Sequence, residues 1–416
     1  MPEGDLCRVM IFDDEPEKAQ AWREQIEGLK VAGVEVASLS KIDIQGHLDA
    51  LYGRRTEADE GKSVGDFPSA LDDVDILIVD FDLRHLDDHR GFATGEEIAY
   101  AARLFSRVKI IVVVNHPNIG LNNFDLTLQR DRELRGDVYV GHKQVGNPGL
   151  WLTDPGYDGF LPWSWSVLIE DVCTFRKCAE EVAANFEKPI LSYFGLDQPE
   201  TSPSPDMLTY LGIKRDEDVV MSQLLNSTNF VRPQDLKTLV KDQSRHVHVT
   251  TALLRKWFRR WLLPPQTLLA DLPHLALTLP WGVLGYQDVE VWNRIAVCGR
   301  SSRPCDLARL LHPEIVGTEF AHGGWTGRPA FVVRRARAAL EAQEAVLSNF
   351  QLEQMPSLAF AEDLSRFIPE DRALTYSVAL DGQPQTRHVS SPDDVEIKDK
   401  RFGLSEIIYS PQSLIL

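Results

Sequence analysis

The sequence has few cysteines, little positive charge and no long uninterrupted apolar run. Its five cysteines form no C-x-x-C pair, and their odd number argues against the disulfide framework of a secreted domain. With 44 basic and 62 acidic residues the formal net charge is -18, so binding to nucleic acid or to an anionic membrane is not expected. The most apolar stretch, residues 261–286, contains four prolines and one aspartate, and it does not predict a membrane span.

Length and the first residues indicate the general class of protein. The opening segment, MPEGDLCRVMIF, has acidic residues where a secretory signal has a basic region before its apolar core. A chain of 416 residues with 43% hydrophobic residues is long enough for two or three domains with substantial cores. We therefore expect a reduced, cytoplasmic protein.

Five short apolar runs rich in Val and Ile alternate with helical patterns in the first third of the chain. They span residues 8–14, 34–39, 75–81, 108–114 and 137–141. Between them, residues 15–29 and 94–105 place apolar side chains three and four positions apart, as in an amphipathic helix. Strands that alternate with helices predict an α/β fold built on a doubly wound parallel sheet.

The pattern changes after residue 196. A helical pattern at 163–186 closes the first domain, 1–196, which carries a polar surface insertion at about 52–70. Residues 197–206 hold three prolines and no apolar periodicity, which is typical of a linker. Residues 207–416 predict a mostly α-helical second domain with a few C-terminal strands around an Asp-Gly turn. We expect this second domain to bind a partner protein or to act as an output.

Within residues 207–416, six segments have helical patterns. They are residues 207–213, 219–226, 233–240, 250–263, 304–311 and 329–350. Thr250 or Thr251 and Pro329 stand near the start of two of them, where a cap or a first-turn proline is favoured.

Charged residues follow three of the predicted strands. Asp13 and Asp14 come after the first strand, Asp80 ends the third, and Lys143 follows the fifth. Because parallel strands gather their carboxyl ends at one edge of a sheet, we expect these side chains to meet there. Gathered carboxylates repel each other unless a cation lies between them, and Mg²⁺ favours oxygen ligands of this kind. The sequence therefore predicts a Mg²⁺ site formed by Asp13, Asp14 and Asp80.

Further residues around these acids complete a recognisable pattern. Residues 75–80 read D-h-h-h-h-D, Gly95 stands where the next helix begins, and residues 109–115, KIIVVVN, form the fourth strand. Over roughly the first 190 residues this arrangement resembles the response-regulator receiver domain, whose fold is flavodoxin-like.

The resemblance implies a phosphorylation site with a resident metal. Asp13 and Asp14 match the acidic pair that holds Mg²⁺, and Asp80 matches the aspartate that takes a phosphoryl group from a sensor kinase or another phosphodonor protein. Lys143 would contact the phosphoryl group. Asn115 stands where the family has Thr or Ser, and its amide can also donate a hydrogen bond.

The fifth strand departs from the family pattern. Gln144 follows Lys143 where the family has proline, and Tyr139 lies one position too early unless His142 takes the place of the lysine. Two further interpretations therefore stay open. The domain is a degenerate receiver that docks another protein without phosphorylation, or it is the regulatory half of an effector enzyme.

Asp80 and Asp82 also form a D-x-D motif. Phosphatases of the haloacid dehalogenase family use such a pair as nucleophile and general acid, and Toprim nucleases use one to hold metal. In the phosphatases the D-x-D motif normally lies on the first strand and is followed by a G-D-x-x-x-D motif, which this sequence lacks. For Toprim, the acids already present after strand one and Gly95 favour a receiver instead.

Residues 254–261, LRKWFRRW, interleave cations with aromatic side chains. Such a pattern can bind a single nucleic-acid strand by stacking and charge. At helical spacing it equally describes an amphipathic helix with its aromatics in the core and its cations in water. The acidic balance of the whole chain favours the amphipathic helix.

Overall fold

The fold is taken from a computed structural model of the chain. It describes residues 6–56, 67–83, 94–115, 136–142, 145–152, 167–214, 218–271, 274–275, 278, 319–327, 329–341, 358–361, 366–380 and 383–390. Among these residues, no helix is long and apolar enough to cross a membrane.

The first five strands form one parallel sheet. They are β1 Cys7–Phe12, β2 Val34–Ser38, β3 Ile76–Asp80, β4 Ile110–Asn115 and β5 Val138–Gly141. Their order is β2-β1-β3-β4-β5, and every neighbouring pair is parallel. The predicted α/β class and parallel sheet are confirmed. The order reverses direction between β1 and β3, which is where open sheets of this kind place their ligands.

Helices cover both faces of this sheet. They are α1 Pro16–Gly28, α2 Lys41–Thr56, α3 Gly95–Phe105, α4 Pro148–Trp151 and α5 Leu168–Ala184. Alternate residues of β3 point to opposite faces, so Leu77 and Val79 belong to one core while Ile76 and Ile78 belong to the other. α2 and α3 pack on the first core, and α1 and α5 on the second. Burial on both faces explains why the central strands β3 and β4 are apolar up to their last residue.

Both ends of the predicted surface insertion, 52–70, are helical. α2 continues to Thr56, and a 3-10 turn spans Ala70–Asp73. Arg54, predicted to lie in a polar surface segment, is only 3% exposed. Its guanidinium binds the carboxylate of Asp72 and the carbonyl oxygens of Phe67 and Phe105. The prediction is wrong for Arg54, because this cation finds acceptors for its Nε, Nη1 and Nη2 atoms.

The chain after residue 184 is helical in part. Within the described part of this region, the α-helices are α6 Ile190–Phe194, α7 Pro205–Tyr210, α8 Leu224–Ser227, α9 Pro233–Leu239, α10 Gln243–Trp257, α11 Gly323–Thr326 and α12 Val333–Glu341. A two-stranded sheet pairs β6 Leu269–Asp271 with β7 Ala330–Val332. A four-stranded sheet of order β10-β11-β8-β9 comprises β8 Leu358–Ala361, β9 Arg366–Pro369, β10 Ala373–Leu380 and β11 Gln383–Ser390.

Helices were predicted over 207–213, 219–226, 233–240 and 250–263, and each of these segments contains helix. The last begins earlier than predicted, since Asp242 rather than Thr250 or Thr251 caps it through the Arg245 amide. The segment 329–350 was predicted to be helical from Pro329, but its first residues form β7 because they pair with β6. The remaining predicted helix, 304–311, lies outside the described residues.

α10 packs against α3 and α5, on the other side of the proposed linker. The carbonyl oxygen of Val108 lies 2.8 Å from His248 Nε2, and Lys256 Nζ donates to the carbonyl oxygen of Gly136 at 2.9 Å. Val108 and Gly136 precede β4 and β5, so α10 covers the amino ends of these strands. The division at 197–206 stays a prediction, and segments from both sides of it share one hydrophobic core.

The cations of residues 254–261 were predicted to face water, which is wrong for Arg255 and Lys256. These side chains belong to residues only 4% and 5% exposed. Arg255 and Arg259 both donate to the carboxylate of Asp171 in α5. Although burial opposes it, these two charges lower the pKa of Asp171 to about 2. The aromatic residues of the segment are buried, as predicted.

Candidate functional site

Three aspartates meet at the carboxyl edge of the sheet. Asp13 and Asp14 follow β1, and Asp80 is the last residue of β3, the strand that pairs with β1. Each contributes a carboxylate oxygen, and these oxygens lie within 4.8 Å of one another. The structure thus brings together the three acids that the sequence analysis named as metal ligands.

All three aspartates are buried. Asp13 is 1% exposed, Asp14 6% and Asp80 0%. An ionised carboxylate loses hydration when it is buried, and a neighbouring carboxylate adds repulsion. Three such groups at one point are therefore costly in the absence of a cation or protons.

The surroundings of Asp13 indicate that this acid does not serve simply as the N-cap of α1. Its Oδ1 accepts a hydrogen bond from the Glu15 amide at 2.8 Å. Its Oδ2 is buried and accepts no hydrogen bond from the described residues. The residue at the N-cap of α1 is Glu15, which makes no side-chain cap bond. A buried oxygen without a donor, next to two further carboxylates, is suited to a metal ion.

The acid–base properties of the site follow from this crowding. Burial raises the pKa of Asp80 to about 7, and the neighbouring charge of Asp13 contributes to the same shift. Burial likewise raises the pKa of Asp13 to about 6, against the opposing effects of the Glu15 amide and Lys18. Without a metal the site thus holds protons that ordinary carboxyl groups would release near pH 4.

Lys18 is a neighbouring cation that the sequence analysis missed. It lies in the first turn of α1, and its Nζ is 2.6 Å from Glu15 Oε1. Burial opposes it, yet the hydrogen bond to Glu15 and the charges of Asp13 and Asp80 raise the pKa of Lys18. Its position one turn after the acidic pair was the available indication. Lys18 supplies one positive charge near three carboxylates. This single charge is not enough to neutralise the three carboxylates when they are ionised.

Gly95 brings α3 against the backbone of Asp80. Its amide donates to the carbonyl oxygen of Phe81 at 2.9 Å, and the Thr94 side chain caps the helix through the Glu97 amide at 3.3 Å. A Cβ at residue 95 would lie 2.0 Å from the carbonyl oxygen of Asp80. The helix was predicted to begin at Gly95, and it does. Only glycine permits so close an approach of helix and strand.

The remaining predicted residues are described only in part. Asn115 is the last residue of β4 and pairs with Gly141, so its backbone lies at the same edge as Asp80. Its side chain lies outside the described part of the chain. Lys143 also lies outside, and His142 directly follows β5. The choice between Lys143 and His142 as the family's lysine position stays open.

No protein-family model, no curated protein and no solved structure matches this chain.

Proposed function

We propose that this protein is a cytoplasmic, phosphorylation-regulated signalling protein. Its α/β part takes a phosphoryl group on Asp80 from a sensor kinase or another phosphodonor protein, and the remainder of the chain acts on a partner protein in response. The observation that carries this proposal is the meeting of three buried carboxylates from the ends of β1 and β3. The sheet order β2-β1-β3-β4-β5 and the close approach of Gly95 to Asp80 support it.

The donor set fits a hard divalent cation. Asp13, Asp14 and Asp80 would hold Mg²⁺, and Asp13 Oδ2 is the clearest ligand because it is buried and accepts no hydrogen bond from the described residues. When bound, Mg²⁺ neutralises charge on a transferring phosphoryl group. Without the metal, the three carboxylates and the single charge of Lys18 would leave the site negative. An anionic phosphoryl donor would then be repelled from it.

Asp80 is the proposed nucleophile. One of its carboxylate oxygens attacks the phosphorus of a phosphohistidine on the donor protein, and an acyl phosphate bond forms. The P–N bond breaks, and the leaving imidazole keeps the bonding electron pair and takes a proton from solvent. Asp80 must be ionised for this step, so burial that raises its pKa has to be offset by neighbouring positive charge. Lys143 would contact the phosphoryl group, with Asn115 donating a hydrogen bond from the end of β4.

A docking module that takes no phosphate is the second candidate. The observation that favours it is the position of Asn115 at the end of β4, where the family has a hydroxyl. A phosphatase of the D-x-D type has less support. Asp82 pairs with Thr94 in a β-bridge, and the carboxylates that gather among the described residues are those of Asp13, Asp14 and Asp80.

Uptake of beryllium fluoride, a mimic of the phosphoryl group, distinguishes these candidates. We expect the wild-type protein to bind it only when Mg²⁺ is present, as followed by fluorine NMR. Asp80→Asn should abolish uptake because the anionic oxygen is lost, and Asp82→Asn, two residues away, should retain it. Absence of Mg²⁺-dependent uptake by the wild-type protein would favour the docking module. Loss of uptake in Asp82→Asn as well would favour the D-x-D interpretation.

A further inference from the structure

The first turn of α3 is tied to the residues that directly follow Asp80. The Gly95 amide donates to Phe81 O, and Asp82 and Thr94 form an antiparallel β-bridge. At Gly95 there is no space even for a methyl group against the Asp80 backbone. Packed groups without free volume transmit a displacement rather than absorb it. A change in the backbone after Asp80 must therefore move the start of α3.

The same turn of α3 holds the segment that leads into α9. Arg232 Nη2 donates to both carboxylate oxygens of Glu97, at 3.0 and 3.1 Å. The guanidinium of Arg232 also lies over the ring of Tyr100, 4.9 Å from its centroid. The Arg232 amide donates to the Tyr100 hydroxyl at 3.1 Å. One residue of the C-terminal half thus contacts two successive turns of α3 in three ways.

A buried carboxylate completes this connection. The Tyr100 hydroxyl donates to Asp235 Oδ2 at 3.1 Å, and Arg55 Nε of α2 donates to Asp235 Oδ1 at 2.6 Å. Asp235, in the first turn of α9, is 0% exposed. If α9 moved away from α3 and α2, this charge would be left buried and unpaired or would have to leave the core altogether. Such an arrangement favours two discrete positions of α9 over a continuous range.

We infer that α9, together with Arg232, is the segment of the C-terminal half that responds to phosphorylation of Asp80, and that α3 transmits the change. The inference rests on the proposed function. A phosphoryl group adds negative charge beside the first turn of α3, where Glu97 already carries a carboxylate. Repulsion of Glu97 and displacement of Gly95 weaken the contacts with Arg232 and Tyr100. α9 is then held less tightly against α3 and α2.

Hydrogen exchange of the full-length protein, with and without beryllium fluoride and Mg²⁺, tests this inference. We expect the backbone amides of residues 234–239 to exchange several-fold faster when the mimic is bound to Asp80. Arg232→Gln removes the link, so the exchange of its α9 should no longer depend on the mimic. The matched control is Arg23→Gln, which breaks a similarly exposed Arg–Glu pair within α1. It should keep the wild-type response.

The outcomes separate the inference from the proposed function. If beryllium fluoride binds at Asp80 and exchange in α9 is unchanged, the inference is wrong and the proposed function stands. If no mimic binds, the proposed function fails first. Tyr100→Phe offers a milder second variant, since it keeps the ring and removes only the hydroxyl. A merely structural loosening in either variant would speed exchange in both states and leave the mimic-dependent difference intact, and that result would also overturn the inference.

Discussion

Gly95 lies so close to Asp80 that a Cβ atom on residue 95 would be 2.0 Å from the Asp80 carbonyl oxygen. This distance is far below van der Waals contact, and the atom that it would meet is backbone, which cannot turn aside. The start of α3 and the end of β3 therefore behave as one unit. The position of the proposed phosphoacceptor depends on a residue that carries no side chain at all.

Gly95→Ala should destabilise the protein and disturb the site. Insertion of a methyl group into a packed site of this kind costs about 1–3 kcal/mol. The control is Gly46→Ala, since Gly46 lies within α2 and a Cβ there meets nothing within 4 Å. Alanine at that position should stabilise by about 0.5–1 kcal/mol. Urea unfolding measures both changes, and equal stability of the two variants would contradict the contact at Gly95.

Without divalent ions, the gathered acids should make stability fall as pH rises. In the folded protein burial raises the pKa of Asp80 to about 7 and that of Asp13 to about 6, from the ordinary aspartate value of 3.8. The native state then binds more protons than the unfolded state between roughly pH 4 and 7, and the free energy of unfolding decreases across that range. At pH 8 we expect Asp80→Asn to be more stable than wild type by on the order of 2 kcal/mol.

Mg²⁺ should reverse this ranking at pH 8. A ligand that binds only the folded state stabilises it in proportion to the logarithm of its concentration over Kd. Wild type has the three carboxylates and should gain stability on titration with Mg²⁺, whereas Asp80→Asn should gain much less. Asp82→Asn serves as the control and should follow wild type. A wild-type unfolding curve that Mg²⁺ does not shift would exclude the metal site.

Asp171→Ala should cost about 3–5 kcal/mol, because it leaves the buried Arg255 and the partly buried Arg259 without their acid. The comparison variant is Glu35→Ala, which removes the partner of Arg8 in an exposed pair with an N–O distance of 3.9 Å. Pairs of that kind contribute about 0–1 kcal/mol. Both values come from urea unfolding. A loss below 1 kcal/mol in Asp171→Ala would mean that α10 does not depend on this buried pair.

Limited proteolysis should cut first within residues 197–206, and the fragments should stay together. Asp197, Gln198, Pro199 and Glu200 are exposed, whereas Thr201 is buried and donates to the Gly195 carbonyl oxygen at 2.7 Å. Beyond the cut, α10 remains packed on α3 and α5. Size-exclusion chromatography under native conditions should show co-elution of both fragments. Separate elution of a folded N-terminal fragment would instead establish two independent domains.

The sequence was sufficient to predict the sheet and the acids at its edge. Its five strands are short, apolar and rich in Val and Ile, and the parallel arrangement places Asp13 and Asp80 at one edge without further information. The position of Gly95 at the start of a helix was also predictable, because Thr94 and two glutamates mark the beginning of that helix.

Contacts between distant segments could not be predicted in this way. Arg255 is buried because Asp171, 84 residues earlier, lies opposite it. Tyr100 meets Asp235 across 135 residues, and nothing local to either residue indicates the other. The strand at Ala330–Val332 resembles the beginning of a helix until its pairing with β6 is known. Local patterns predict elements, whereas the burial of charge depends on their packing.

The most direct test of the account is the site of phosphorylation. The wild-type protein is incubated with acetyl phosphate and Mg²⁺, and the labelled residue is located by mass spectrometry after the acyl phosphate is trapped. We expect a single label on Asp80 that requires Mg²⁺, disappears in Asp80→Asn and persists in Asp82→Asn. A label that remains undiminished in Asp80→Asn, or a wild-type protein that takes no label while Mg²⁺ binds, would contradict it.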